Sequence, residues 1–402
     1  MKFKHFIPSL FLLFSILFIV SCHHEESPSI EAKLQNAVDQ YVKKYNYEPA
    51  LNVSVYSASK NIAFNTASGK PSTSKSTLAT MDTRHIYYSI TKSFVAVSIL
   101  KLEKEGKLAL SDKLEKYVTP SDIDSYFSHG NSSLYINYDA TIEELLTHRS
   151  GIKDYDDNFT EILATHIFDD GWKAEKILSF ISQTAEKRDE TTLKYSFNYS
   201  SANYVLLGLI VEKVSANDLS EYLKATIFTP YDLDVSVLPL DKINYNIIAH
   251  PHVYPNTTFN LEGDGKTPID VTTAMPNVLD LIGNCSYGAG GAVGNSADVA
   301  IWGYTMLSQN SGFEKTIAKK ITDSVSTFTV GEEAFAYGYG IRKLFHGDYE
   351  FIGSYGRGIG DENLMFYNKD KDVCISILSS SNTKKDGTPN IDELMYEIFE
   401  VL

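Results

Sequence analysis

Ser89 and Lys92, in the stretch Tyr88-Ser89-Ile90-Thr91-Lys92-Ser93-Phe94, are the residues best suited by type and spacing to do chemistry. Three residues apart on a helix, a hydroxyl and an amine share one face and come within reach of each other. Phe94, Val95, Val97, Ile99, Leu100 and Leu102 supply the apolar face of such a helix, and Gly106 stands where a glycine stops one. A serine at its start meets unpaired backbone N–H groups and the positive end of the helix dipole, which favour developing negative charge. The amine one turn on can take or relay the serine proton. Spacing alone is a weak signal, because Ser-x-x-Lys begins at six serines here: Ser57, Ser72, Ser89, Ser98, Ser150 and Ser381. The bland reading of Ser89 is a helix cap, and of Lys92 a solvated side chain.

Acyl transfer by a serine also needs a proton donor for the leaving group and N–H donors for the tetrahedral oxyanion. Phe197-Asn198-Tyr199-Ser200-Ser201 places a phenol and two hydroxyls just before an apolar helical run, so Tyr199 could point into a cleft with Ser201 beside it. Taken alone, Tyr199 reads better as a ring packed against the loop, with Ser200 or Ser201 capping the helix. Gly353-Ser354-Tyr355-Gly356-Arg357-Gly358-Ile359-Gly360 follows a strand pattern. Its glycines let backbone approach a ligand, and the N–H after Gly356, that of Arg357, could face an oxyanion.

These groups need a scaffold to converge. Helical periodicity covers Ile30 to Tyr45, and alternation predicts strands at Leu51–Tyr56 and Ile62–Asn65. Residues 113–321 read as mainly helical and loop-rich, with helices over Thr141–Leu146, Trp172–Thr184 and Ser201–Val214. Strands return at Tyr337–Leu344, Tyr349–Ile352, Leu364–Tyr367 and Val373–Leu378, and Ile391–Leu402 reads as an amphipathic helix. The expected fold is α+β. Both chain ends (about 31–112 and 322–402) form an antiparallel sheet flanked by terminal helices, with a mainly helical subdomain (about 113–321) inserted. A site at the junction draws on both parts.

At 402 residues and 43% hydrophobic, the chain can bury a large core. Its net charge of −15 repels polyanions and argues against nucleic acid as a partner. Lys2 and Lys4 precede an apolar run from Phe11 to Val20, the pattern of a secretory signal over residues 1–21. Ile-Val-Ser-Cys then resembles a bacterial lipobox, which implies lipid attachment at Cys22, a tether over 22–30 and a membrane-anchored place in the bacterial cell envelope. Cys285 and Cys374 are expected as buried free thiols. His250-Pro251-His252 lacks further ligands at useful spacing and reads as a loop rather than a metal site. No Walker or dinucleotide motif is present, so no cofactor is expected.

The three chemical elements in this order resemble the serine β-lactamase and penicillin-binding-protein superfamily. The branch is that of class C β-lactamases, D-alanyl-D-alanine carboxypeptidases, D-aminopeptidases and related esterases. Leu102–Asp112, Leu145-Leu146-Thr147-His148-Arg149-Ser150-Gly151-Ile152, Gly288-Ala289-Gly290-Gly291 and Tyr337-Gly338-Tyr339-Gly340 carry it further, over nearly the whole chain after the leader. The resemblance implies nucleophilic attack by Ser89 on a small-molecule or peptide substrate. Lys92 and Tyr199 would share base and acid work, and the N–H groups of Ser89 and Arg357 would form the oxyanion hole. Two departures stand out. Tyr199-Ser200-Ser201 has a hydroxyl where the family's Tyr-x-Asn has an amide, and Ser354-Tyr355-Gly356 lacks the cation or imidazole of Lys-Thr-Gly or His-x-Gly. Losing that cation would weaken binding of a substrate carboxylate, since a charge-assisted hydrogen bond contributes roughly 1.5–3 kcal/mol. The expectation is therefore a peptidase, amidase or esterase of relaxed substrate choice. The alternative is a weakened or inactive member that binds peptidoglycan or a protein partner.

Overall fold

The computed structural model describes residues 28–72, 76–155, 162, 173–189, 195–237, 248–254, 267–276, 278–330, 333–381 and 391–402. Cys22 and the leader expected over residues 1–21 lie outside the described residues. Helix α1 (Ile30–Tyr45) is capped by the Ser29 hydroxyl, which accepts from the Ala32 N–H, and ends at Asn46 with φ 45°. Strands β1 (Leu51–Ser57) and β2 (Ile62–Ser68) follow, then a 3₁₀ turn over Tyr88–Ile90 that runs into α2 (Thr91–Lys104). Gly106, at φ +71°, ends α2 as its position suggests. The middle of the chain supplies α3 (Ile142–Leu146), α4 (Ser201–Ser215), α5 (Val278–Gly290) and α6 (Ser296–Leu307) among shorter helices. Then come β3 (Ser326–Val330), β4 (Glu333–Tyr337), β5 (Arg342–His346), β6 (Tyr349–Gly358), β7 (Asp361–Asn368), β8 (Val373–Ser379) and α7 (Asp392–Val401).

These strands form one antiparallel sheet in the order β2-β1-β8-β7-β6-β5-β4-β3, so the two ends of the chain meet at the β1–β8 pair. The period of two decides what each face buries. Val53, Val55, Phe351, Leu364, Phe366, Ile375 and Ile377 pack with Leu34, Val38 and Tyr41 of α1 and Leu394, Ile398 and Phe399 of α7. Each such side chain contributes about 1.5–3 kcal/mol through burial. The intervening residues Met365, Tyr367, Cys374 and Leu378 join the other core with α2, α4, α5 and α6. Helix α6 lies on this face, and Ser54 of β1 hydrogen-bonds Ser296 at 2.7 Å. Cys285 and Cys374 are free and buried. The α+β expectation, with both chain ends in one sheet, agrees with this architecture.

Three local expectations need correction. The run Tyr337–Leu344 is not one strand but the end of β4 and the start of β5, separated by Gly338-Tyr339-Gly340-Ile341. Gly340 has φ +72°, and a Cβ there would meet the Lys92 carbonyl oxygen at 2.7 Å, so the break lets backbone pass α2. The glycine-rich stretch from Gly353 is not a turn after a strand ending at Ile352, because β6 continues through it to Gly358. Of the helix expected over Trp172–Thr184, α-helix forms only at Ala174–Leu178, and residue 172 is outside the described residues.

Candidate active site

Ser89 stands on the 3₁₀ turn, which is wedged between α5–α6 and the sheet. The Tyr87 N–H donates to the Ala292 carbonyl at 2.7 Å, and its hydroxyl donates to the Asn295 carbonyl at 2.8 Å. Tyr88 takes φ +47°, a left-handed conformation that costs on the order of 1–3 kcal/mol for a bulky residue. Its hydroxyl, donating to buried Asp361 at 2.8 Å, helps to hold it there. Burial pushes the Asp361 carboxyl well above the usual carboxylate range, and the Tyr88 hydroxyl partly offsets this. Opposite the turn, β6 offers glycine. A Cβ on Gly356 would lie 2.0 Å from the Tyr87 carbonyl oxygen, and one on Gly358 would lie 2.0 Å from the Tyr88 ring. The Trp302 indole N–H reaches Ser93 Oγ at 2.9 Å and fixes the first turn of α2.

The hydroxyl, amine and phenol converge on this turn. Lys92 Nζ is 2.8 Å from Ser89 Oγ and 2.9 Å from the Ala289 carbonyl oxygen, and Tyr199 Oη is 2.9 Å from Ser89 Oγ. Lys92 is 1% exposed, and its Nζ lies 5.0 Å from the Tyr199 ring centroid, within cation–π range. Tyr199 is 37% exposed, so the cluster is open to a ligand on the phenol side. The Ala289 carbonyl becomes available because α5 is kinked at Tyr287 (φ 35°, ψ −129°). The Ser201 N–H donates to Asp154 Oδ2 at 2.8 Å, putting a carboxylate at the positive end of α4.

A cleft of about 330 Å³ opens over Ser89, with Phe197, Tyr199, Ser201, Tyr337, Ser354 and Arg357 on its walls. Strand β5 begins at Arg342 opposite Gly353, so beyond that point β6 stays paired with β7 on one side and, among the described residues, has no strand on the other. Ser354 faces the turn, its hydroxyl 3.4 Å from the Ser89 carbonyl oxygen. Tyr355 and Arg357 take the opposite face, as strand alternation requires. The Tyr355 hydroxyl donates to Asp392 of α7 at 2.6 Å, so its ring borders the cleft while its polar end is turned away from Ser89. The Arg357 guanidinium pairs with Glu362 at 2.7 Å. Of the residues marked from sequence, Ser89, Lys92, Tyr199, Ser201 and Ser354 thus gather at the cleft, Gly356 lies against the Tyr87 carbonyl beside it, and Tyr355 and Arg357 line it with their polar groups paired to Asp392 and Glu362.

Three contributors escaped the sequence reading. The Ala289 carbonyl holds Lys92, buried His148 lies under the Tyr199 ring, and the Arg342 guanidinium lines the cleft, its Cζ 5.3 Å from the Tyr355 ring centroid. His148 and Ala289 lie in segments that carried the resemblance, which was the available signal. Arg342 has no local signal.

With the geometry in view, relatives can be compared. The family model for Beta-lactamase matches residues 34–396. The chain belongs to that family. Among sequence relatives, a putative penicillin-binding protein, PbpX, of Bacillus subtilis is 25% identical over 60% of this chain and 51% of its own length. A putative D-alanyl-D-alanine carboxypeptidase of Escherichia coli is 27% identical over 66% of this chain and 59% of its own. The chain therefore spans little more than half the length of these relatives. Among solved structures, D-amino acid amidase from Ochrobactrum anthropi superposes with TM-score 0.73 at 17% identity, covering 92% of this chain and 98% of that one. The octameric penicillin-binding protein homologue from Pyrococcus abyssi gives TM-score 0.66 at 22% identity, over 92% and 76%. The structural matches establish the β-lactamase/transpeptidase-type fold for this member of a serine hydrolase family.

Proposed function

We propose that this protein hydrolyses amides or esters through an acyl-enzyme at Ser89. The observation that carries the reading is Ser89 Oγ within 2.8 Å of the buried Lys92 side-chain nitrogen and 2.9 Å of a phenol, on the floor of an open cleft. In this reading Ser89 Oγ bonds to the substrate carbonyl carbon while its proton passes to Lys92 or Tyr199. Negative charge on the carbonyl oxygen faces the N–H groups of Ser89 and Arg357. The C–N or C–O bond then breaks, the leaving group takes the proton, and water releases the acid by the same steps. The oxyanion donors are backbone, so the hydroxyls at Ser201 and Ser354 leave them untouched. Those hydroxyls change what the cleft grips, which favours a peptidase, amidase or esterase over a strict carboxypeptidase. Anchoring through lipid at Cys22, outside the described residues, would hold the enzyme at the bacterial cell envelope.

The test is covalent capture. The full chain is incubated with a fluorophosphonate, a fluorescent penicillin and a p-nitrophenyl ester, and adducts are read by intact mass beside Ser89→Ala. An adduct or turnover that needs Ser89 is expected. Absence of all three sinks the reading and leaves the alternative suggested by Ser201 and Ser354, a binding protein that holds a peptidoglycan fragment or protein partner without turnover.

A further inference from the structure

The geometry points to His148 as the positioning residue that sets the Tyr199 phenol over Ser89, through a neutral imidazole whose Nδ1 accepts from two N–H donors. His148 follows α3, has φ +55° and is fully buried. Its backbone carbonyl accepts the Asn198 N–H at 2.9 Å. Its Nδ1 accepts the Ser200 N–H at 3.1 Å and lies 3.2 Å from Asn203 Nδ2. One histidine thus grips the residues on both sides of Tyr199, while its ring lies 4.2 Å from the Tyr199 ring centroid. Asn203 is oriented in turn, because its Oδ1 accepts the Ser150 hydroxyl at 2.6 Å, leaving the amide NH₂ for the imidazole. With Nδ1 accepting, the ring proton must sit on Nε2. Protonating Nδ1 would break both accepted bonds beside the charge of Lys92. The titratable groups facing the ring are Lys92 of α2, Tyr199, Tyr204 of α4 and Tyr337 of β4, and none is a carboxylate that would favour an imidazolium. Burial first, then Lys92, holds the imidazole well below its ordinary value, in agreement with the hydrogen bonds.

This rests on the hydrolase reading, and the test separates the two. Asparagine tolerates positive φ and can place an oxygen near the position of Nδ1, whereas phenylalanine keeps the ring and loses the acceptor. His148→Asn is expected to keep kcat on a p-nitrophenyl ester within about fivefold, and His148→Phe to lower it about 10- to 100-fold with KM changed less than about threefold. In a Tyr199→Phe background His148→Phe should cost less than about threefold, because the phenol it positions is gone. Equal losses in both backgrounds, or no loss, overturn the assignment. Should His148→Phe fail to fold, Asn203→Leu replaces it, with a loss of about fivefold or more expected that likewise vanishes without the phenol. One readout needs no turnover. In ¹⁵N-histidine spectra of the full chain, assigned by difference from His148→Asn, Nδ1 should remain unprotonated at about pH 6.5, where an unperturbed imidazole is half protonated. A protonated Nδ1 there overturns the proposal even if no substrate is cleaved, whereas loss of Ser89 labelling in the wild type would overturn only the hydrolase reading.

Discussion

Gly356→Ala separates the geometry of the oxyanion donors from the stability of the fold. Gly356 is not among the residues with positive φ, so alanine meets no backbone objection, only a spatial one. Its methyl would stand 2.0 Å from the Tyr87 carbonyl oxygen and 3.3 Å from Tyr88 Cβ, where side-chain carbons stay beyond 3.0 Å. The Tyr87 carbonyl belongs to backbone and cannot swing aside, so β6 and the nucleophile turn must part by roughly 1 Å. Overpacking of this kind costs about 1–3 kcal/mol, below the 5–15 kcal/mol typical of a whole domain, so the variant stays folded. The N–H of Arg357 moves with β6 while that of Ser89 moves with the turn. Loss of one such donor costs about 10²–10³ in rate. Gly356→Ala should therefore lower kcat on a p-nitrophenyl ester by about two orders of magnitude while thermal unfolding stays cooperative. Gly347→Ala is the control: its methyl meets open space and its φ is +57°, so stability falls by about 1 kcal/mol and kcat holds. If Gly356→Ala turns over within about fivefold of wild type, the tight approach of β6 to Ser89 has no catalytic meaning and the reasoning fails.

Other outcomes follow from the same coordinates. Lys92→Ala and Tyr199→Phe should each slow fluorophosphonate labelling of Ser89 by about 10²–10⁴, measured as the labelling rate constant. For Arg342→Ala, the preference for a p-nitrophenyl hemisuccinate over the butyrate, as a ratio of kcat/KM, should fall about tenfold or more. That is the scale of one charge-assisted contact, and an unchanged ratio removes Arg342 from substrate recognition. Asp298 of α6 is 6% exposed, and burial raises its carboxyl to about 6. The folded state then holds a proton that the unfolded state has released, so this group's contribution to stability falls as pH rises from about 4 to about 6. Asp298→Asn should gain on wild type across that window by at most about 3 kcal/mol, read from urea unfolding at several pH values. A gain independent of pH would show that the carboxyl titrates normally.

Legibility from sequence tracked whether a signal was local. Ser89-x-x-Lys92, Tyr199 before α4 and the glycines around Gly356 could be ordered along the chain, and period-two alternation placed β1 and β8 within two residues. What periodicity cannot register is pressure from a distant segment. Gly340 interrupts a strand because the backbone of Lys92 lies against it, and Gly356 and Gly358 of β6 resemble a turn only until Tyr87 and Tyr88 are seen filling their empty sides. The direction of Tyr355 is fixed by Asp392 of the last helix, about forty residues away in sequence. Ala289 acts through a carbonyl that every residue type possesses, so its identity carries no trace of its contact with Lys92.

That carbonyl has an evolutionary corollary. Substitution at position 289 cannot delete a main-chain oxygen, so the lysine's anchor is insensitive to the identity of the residue that bears it. Selection must act on the bend that presents it. The vulnerable neighbours are Gly288, where a methyl would strike the Tyr204 carbonyl at 2.7 Å, and Gly291, where it would strike that of Tyr287 at 2.7 Å. A saturation library across 286–292 should keep small variety at 289 and almost none at 288 and 291, a pattern that looks inverted to anyone ranking positions by what their side chains touch.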